Sequence, residues 1–260
     1  MPTIVGIIYR QFWLFFGAVA LATVFLLPIM QVDRISTKVK NSDKSVTFVT
    51  FNLNARNTDY KTAQQFFMEN KFDLLVLQEF SKEWATQLKS LKERYNSQEI
   101  RHFPHQHGVA IFSDHKLRVE NFIYDESLNF AITVASITLP SKEVSLLITH
   151  LKNPQNSNAH QQRVLQAELV NKFISETEGD YIVMGDLNAT PWSSIYMRMF
   201  SNIKAKCISN SSVGTWPSWF IPIRIPIDQI VFCGNWYFPQ FELGPNLSSD
   251  HLPLIASVKI

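Results

Sequence analysis

IVMGDLN (182–188) is an apolar run that ends in two polar residues. On a strand, side chains two apart share a face, so Asp186 and Asn188 continue the row begun by Ile182 and Met184. Working outward, three more runs end the same way. In VTFVTFN (46–52), Asn52 shares a face with Val46, Phe48 and Thr50. In LLVLQE (74–79), Glu79 shares one with Leu75 and Leu77. In VSLLITH (144–150), His150 follows Leu146 and Ile148. Two later runs have the reverse order: Asp228 opens DQIVFCG (228–234), and Asp250 and His251 stand just before LPLIASVKI (252–260). If those two run antiparallel to the earlier strands, every polar group meets at one rim, an arrangement that suits an active site better than it suits packing.

Further strand signals are GVAIFS (108–113) and FAITVASITL (130–139), short and rich in β-branched residues. Helix signals lie between some of the strands. Asp59 suits the cap of a helix reaching Asn70. Ser81 suits the cap of one with Trp84, Leu88, Leu91 and Tyr95 on one face. Ser157 suits the start of a third that turns Val164, Leu165, Leu169, Phe173 and Ile174 inward. Many strands with a few helices between them predict an α/β chain of two sheets packed face to face, with helices outside.

The 260 residues are 46% apolar and 18% charged, enough for a full core and unlike a disordered chain. A net charge of +2 argues against a dedicated nucleic-acid binder, but it allows an enzyme that holds one phosphate. Cys207 and Cys233 lack zinc spacing, and they read as buried apolar thiols in preference to a disulfide. His102, His105 and His107 in HFPHQH read as loop residues, since their spacing matches no zinc pattern.

Residues 11–30, QFWLFFGAVALATVFLLPIM, carry no charge and are long enough to span a bilayer as a helix. The apolar run continues past the small-residue Ala-Leu-Ala at 20–22, which favours an uncleaved single-pass anchor over a signal peptide. The expected organisation is an anchor over 1–32, a polar linker over 33–45 and a catalytic domain over 46–260. The lysines and arginines after the segment favour a cytoplasmic domain, whereas Arg10 and the short N-terminus allow the opposite. A bacterial inner membrane with the domain on the extracytoplasmic side is the expectation taken forward, with the domain monomeric.

Glu79 and Asp250 are hard oxygen ligands, and Asn52 adds an amide oxygen or holds a metal-bound water. The set suits Mg²⁺ or Mn²⁺ in preference to zinc. Asp186 is placed to accept a proton from an attacking water, and Asn188 to orient that water or bind a phosphate oxygen. His251 is a donor to phosphate or leaving group, with Asp228 as the partner that fixes its tautomer and raises its pKa. His150 is a second donor, and Asn153 helps it hold the phosphate. Arg163 reads as a structural ion pair more than a substrate contact. The stretch GTWPSWFIPIRIP (214–226) reads equally well as a plain loop or as a cleft wall or membrane-facing edge, with Arg224 near phosphate.

Together FNLN (51–54), LQE (77–79), GVAIFS (108–113), THL (149–151), GDLNATP (185–191), IDQI (227–230) and SDH (249–251) resemble the endonuclease/exonuclease/phosphatase superfamily. That is the fold of pancreatic-type deoxyribonuclease, abasic-site endonucleases, neutral sphingomyelinases and inositol polyphosphate 5-phosphatases. The resemblance implies a DNase I-like four-layer α/β sandwich and Mg²⁺-dependent hydrolysis of a phosphodiester or phosphomonoester, in nucleic acid or in a phospholipid or inositol-phosphate head group. It implies Glu79 and Asp250 as metal ligands, Asn52 as metal or phosphate partner and Asp186 with Asn188 as the water- and phosphate-positioning pair. His251, oriented by Asp228, becomes the phosphate-contacting histidine, and His150 takes the position of a second catalytic histidine. Gln229 departs from the His or Tyr that many members carry. The competing reading is a catalytically inactive, membrane-anchored binding module of the same fold.

Overall fold

Strand β1, Ser45–Asn52, alternates Val46, Phe48 and Thr50 toward one side with Val49 and Phe51 toward the other, and both sides are buried. A strand covered on both faces is the middle of a layered fold, and the other strands extend it. The computed structural model describes residues 12–19, 45–103, 108–128, 130–201 and 203–260. By contact clustering the chain divides into two units, Met1–Ile35 and Ser36–Ile260. In the first, residues 12–19 form helix α1. The rest of the expected anchor and most of the expected linker lie outside the described residues. Among the described residues no helix is long and apolar enough to cross a membrane.

In the second unit β1 is joined by β2 (Leu74–Gln78), β3 (Ser97–Arg101), β4 (Val109–Ser113), β11 (Tyr237–Leu243) and β12 (Leu254–Lys259) in the order β11-β12-β1-β2-β4-β3. The other sheet holds β5 (Lys116–Asp125), β6 (Phe130–Thr138), β7 (Glu143–Thr149), β8 (Tyr181–Asp186), β9 (Cys207–Ile208) and β10 (Asp228–Cys233) in the order β5-β6-β7-β8-β10-β9. Both are mixed: β1 and β2 are parallel, as are β7 and β8, and the remaining pairs are antiparallel.

Between the sheets lie Phe48, Leu74, Val76, Leu146, Ile148, Ile182, Met184, Ile230 and Phe232. Phe48 meets Phe232 of the opposite sheet edge to face at 5.5 Å. Outside the first sheet pack helices α2 (Tyr60–Glu69), α3 (Lys82–Gln87) and α4 (Leu91–Arg94), through Phe67, Trp84 and Leu91. Outside the second pack α5 (Ser157–Glu176) and α6 (Ser194–Met199), through Val170, Ile174 and Met199. The result is the four-layer sandwich that the strand pattern predicts.

Asp59 caps α2, accepting from Thr62 N, and the helix ends at Asn70 as expected. Ser81 caps α3, but the single helix read from Trp84 to Tyr95 breaks at Leu88 into α3 and α4; all four apolar residues are still buried. α5 starts at Ser157 as expected, with Asn156 as its cap, whose side chain accepts from Ala159 N at 2.9 Å. Its inward face also differs. Leu165 is 48% exposed, whereas Arg163 and Gln166 are buried. The two polar side chains face inward because main-chain groups at the rim need them, as shown below. Cys207 and Cys233 are register partners on β9 and β10, and that placement joins them in a disulfide, correcting the expectation of free thiols.

Replacing Phe48 with Ala should lower stability by about 3–5 kcal/mol, the cost of emptying a large aromatic site in a core. Leu165→Gln on the same scale should change it by less than about 0.5 kcal/mol. Urea unfolding followed by circular dichroism measures both.

Candidate active site

β10 runs antiparallel to β8 with Asp228 opposite Asp186, and β12 runs antiparallel to β1. The starts of β10 and β12 therefore meet the ends of β1, β2, β7 and β8 at one rim. Asp186 lies at its centre, 1% exposed. Its Oδ1 accepts from Asn188 N at 2.9 Å. Four side-chain nitrogens surround its Oδ2: Asn52 Nδ2 at 3.0 Å, Asn188 Nδ2 at 3.3 Å, His150 Nε2 at 3.4 Å and His251 Nε2 at 3.7 Å. Burial pushes the Asp186 carboxyl up, and Asp228 adds to the rise. His251, His150 and the Asn188 N–H pull it back only in part.

His251 Nδ1 meets Asp228 Oδ2 at 2.8 Å. With that nitrogen donating to the carboxylate, Nε2 is turned toward Asp186. Burial by itself lowers the His251 pKa, but Asp228 and Asp186 outweigh it, and the net result is a rise to about 10. Asp228 is itself fully buried. Asn210 Nδ2 donates to its carbonyl at 2.9 Å, and its own N–H donates to Thr215 Oγ1 at 3.3 Å.

Glu79 and Asp250 stand half-buried at the mouth. One turn of chain serves both. Asn52 Nδ2 donates to Glu79 Oε1 at 3.1 Å and Ala55 N to Oε2 at 2.8 Å, while Asn54 Nδ2 donates to Asp250 Oδ1 at 2.9 Å. Trp216 Nε1 donates to Asp250 Oδ2 at 3.2 Å. Each of these four carboxylate oxygens accepts one such bond and keeps a lone pair, since an ionised carboxylate offers about four acceptor sites. Two hard, negatively charged donors with lone pairs to spare fit a divalent cation of the Mg²⁺ type. The tightest cluster of metal-type donors is instead Asp186, Asp228 and His251, with donor atoms all within 4.8 Å. There Asp228 Oδ2 is engaged by His251 Nδ1, Asp186 Oδ2 by amide donors, and His251 Nε2 stands 3.7 Å from Asp186, so the trio reads better as a buried ion-paired cluster, and the cation fits better at Glu79 and Asp250.

Not every expected residue falls as the sequence suggests. Asn52 turns its amide oxygen to Asn54 N at 2.9 Å, so at the rim it acts as a donor and not as an oxygen ligand. Glu79 does not continue the row of Leu75 and Leu77, which face the helices. The strand ends at Gln78, and Glu79 takes a left-handed φ of 53° that breaks the alternation. Asn153 is exposed in the loop after His150, and among the described residues no hydrogen bond joins it to the carboxylates. The Arg224 guanidinium donates to the carbonyls of Pro217 and Ser218 in its own loop. His102 Nδ1 bonds Phe80 O at 3.0 Å, while His105 and His107 lie outside the described residues.

Other residues at the rim escaped the sequence reading. Gln78, on the inter-sheet face with Leu74 and Val76, donates to Thr149 O at 2.9 Å and accepts from Asp186 N at 2.8 Å, tying the two sheets together. The parity of LLVLQ carries that signal. Asn54, in the turn after β1, reaches Asp250. Among the described residues Arg163 pairs with no carboxylate within salt-bridge distance; it is buried and donates to Asn188 O, which holds the turn after Asp186. Gln166 accepts from Lys152 N and donates to Leu128 O, which fixes the loop after His150.

The chain belongs to the endonuclease/exonuclease/phosphatase family, whose model matches residues 49–251. Members of the family are metal-dependent phosphoesterases, and the chain is a phosphoric ester hydrolase of this kind. Among solved structures it is similar to truncated TDP2 of Caenorhabditis elegans, at 18% identity and a TM-score of 0.66 over 83% of this chain and 98% of that one. TDP2 of D. rerio, complexed with single strand DNA product, has 15% identity and a TM-score of 0.68 over 84% and 100%. Sphingomyelinase C of Streptomyces griseocarneus has 15% identity and a TM-score of 0.60 over 82% and 99%. These likenesses concern the fold. No curated protein matches the sequence.

The His251–Asp228 pair has a definite pH signature. A folded-state pKa of about 10, set against an ordinary value near 6.5, gives stability that is fully present below about pH 6.5 and is lost as pH rises through about 10. In metal-free Asp228→Asn the His251 titration, followed by NMR, should move well below about 10, and the stability gained from the pair should shrink. A titration unchanged by the substitution would contradict the pairing.

Proposed function

We propose that the chain is a membrane-tethered, Mg²⁺-dependent phosphodiesterase of this family. The observation that carries the reading is the convergence of a buried Asp186, a charged His251–Asp228 pair and two open carboxylates, Glu79 and Asp250, at one rim of the sandwich. When bound, the cation offsets the charge of the phosphoryl oxygens. Glu79 and Asp250 would hold it, and Mn²⁺ suits the same oxygens.

The protein's own groups divide the remaining work. Asp186 accepts the proton of the attacking water, which its raised pKa favours. Asn188, fixed by Leu151 O at 2.9 Å and by Asp186, orients that water or a phosphate oxygen. His251, protonated at neutral pH and held by Asp228, donates from Nε2 to the phosphoryl group. His150 stands beside Asp186 as a second donor. Asn52 keeps Glu79 and Asp186 apart and in place, since both accept from its one amide nitrogen. Asn153, on the exposed loop after His150, remains a candidate for phosphate contact. Arg224 shapes the loop beside Asp250 in place of the direct phosphate contact read from the sequence.

Residues 11–30, uncharged over their whole length, support a single-pass anchor. The Cys207–Cys233 disulfide supports a domain on the extracytoplasmic side, because such bonds persist in oxidising compartments. The domain acts as a monomer. Its substrate is a phosphodiester of a lipid head group or of nucleic acid.

Full chain in detergent should hydrolyse a generic aryl phosphodiester with Mg²⁺ or Mn²⁺. EDTA should abolish turnover and the metal should restore it. Asp186→Asn should lower kcat by about 10²–10⁴-fold, the range for loss of a general base. Equal turnover in EDTA, or in the variant, would sink the assignment.

A further inference from the structure

The segment from Trp216 to Arg224 has two edges of opposite character. Its inner edge is bonded to the site. Trp216 Nε1 donates to Asp250 Oδ2 at 3.2 Å, Ser218 N to Asp250 O at 2.7 Å and Ser218 Oγ to Ser249 O at 2.6 Å. Its outer edge is apolar and exposed. Trp219 and Ile221 are each 72% exposed, Ile223 is 53% and Phe220 is 43%. Trp219 and Phe220 stack on each other at 5.7 Å and share no core. The tip is also braced from within. Trp216 pairs with Ile225, Ile221–Ile223 form a 3-10 turn, and the Arg224 guanidinium closes on the carbonyls of Pro217 and Ser218.

A braced loop that holds two aromatic and two branched side chains in water is a surface awaiting a partner. We infer that this loop docks the active site onto a phospholipid bilayer, and that the substrate is a phosphodiester of a lipid head group in that bilayer. The choice of substrate rests on the phosphodiesterase reading, and the docking rests on the loop itself together with the anchor proposed above. Three observations favour lipid over other occupants. The stretch 213–223 contains no Lys or Arg, and the one cation beside it, Arg224, is occupied by carbonyls. A nucleic-acid groove needs cations for the backbone, and this tip offers none. Trp and Phe beside branched aliphatics are the composition of a membrane interface. The anchor proposed over residues 11–30 would also bring the domain to a bilayer.

β1 begins at Ser45, at the pole opposite the site, and Tyr237 pairs with Lys259 beside it.

The test is made on full chain reconstituted into phosphatidylcholine–phosphatidylglycerol vesicles that contain a nitroxide-labelled lipid. With the native disulfide oxidised, a fluorophore is placed at I221C, or at Y237C on the opposite pole, where Tyr237 is 69% exposed. The label at 221 should lose most of its fluorescence and the label at 237 little. Adding Trp219→Ser with Phe220→Ser should restore the signal at 221 while the circular dichroism spectrum and urea unfolding midpoint stay unchanged, which shows that the doubly substituted protein is folded. Quenching at 237 and not at 221 overturns the proposal. So does a label at 221 that responds to a single-stranded oligonucleotide, or to protein concentration, instead of lipid. These signals report position and not turnover, so they stand or fall separately from the hydrolase assay.

Discussion

The buried Asp186 carboxylate is the constraint on which the rest of the structure depends. An unpaired carboxylate at that depth would cost several kcal/mol, so the fold must bring donors to it from every side. Asn52 comes from β1, His150 from the end of β7, Asn188 from the turn after β8 and His251 from the segment before β12. For them to meet, the two sheets must approach closely at the rim. Gly185 permits this: a Cβ there would lie 2.0 Å from Thr149 O and 2.2 Å from Gln78 Nε2. The same side chain, Gln78, then links the sheets through Thr149 O and Asp186 N. Packing and chemistry are thus met by one set of contacts, because the groups that close the sandwich also hold its central anion.

Much of this was legible in the sequence, because burial and strand period leave a plain mark. Runs such as VTFVTFN and IVMGDLN alternate over a core and end in a polar group, and the antiparallel return of β10 and β12 follows from their reversed order. The pattern failed where the backbone left the regular strand. Glu79 has a positive φ, and a residue in that region no longer faces where parity sends it. Arg163 and Gln166 escaped the sequence pattern for another reason. Helical periodicity sorts residues by hydrophobicity, whereas these two are buried to satisfy main-chain groups that only the folded loops present. Cys207 and Cys233 stand 26 residues apart, and only the pairing of the short β9 with β10 brings them together.

That disulfide also encloses functional chain. Between its cysteines lie Asn210 and Thr215, which hold Asp228, and Trp216, which reaches Asp250. The segment has almost no regular structure of its own apart from β10 and the 3-10 turn, yet it contributes to both halves of the site. It is fixed from two directions, by the covalent link at its base and by hydrogen bonds to the SDH segment at its top. A loop held in that way can carry exposed apolar residues without collapsing onto the cleft.

At the other end of the sandwich, Ser45 and Lys259 are paired across β1 and β12. Both ends of the folded unit therefore leave from one place, on the side away from the carboxylates. A unit built so can be carried as an insertion within another protein's loop, or its ends can be joined and new ones opened at an exposed turn, with no strand crossing the cleft. The β6–β7 turn near Ser141 is on that same outer side and is exposed. The architecture thus separates what must stay fixed for chemistry from where the chain is free to be cut and rejoined.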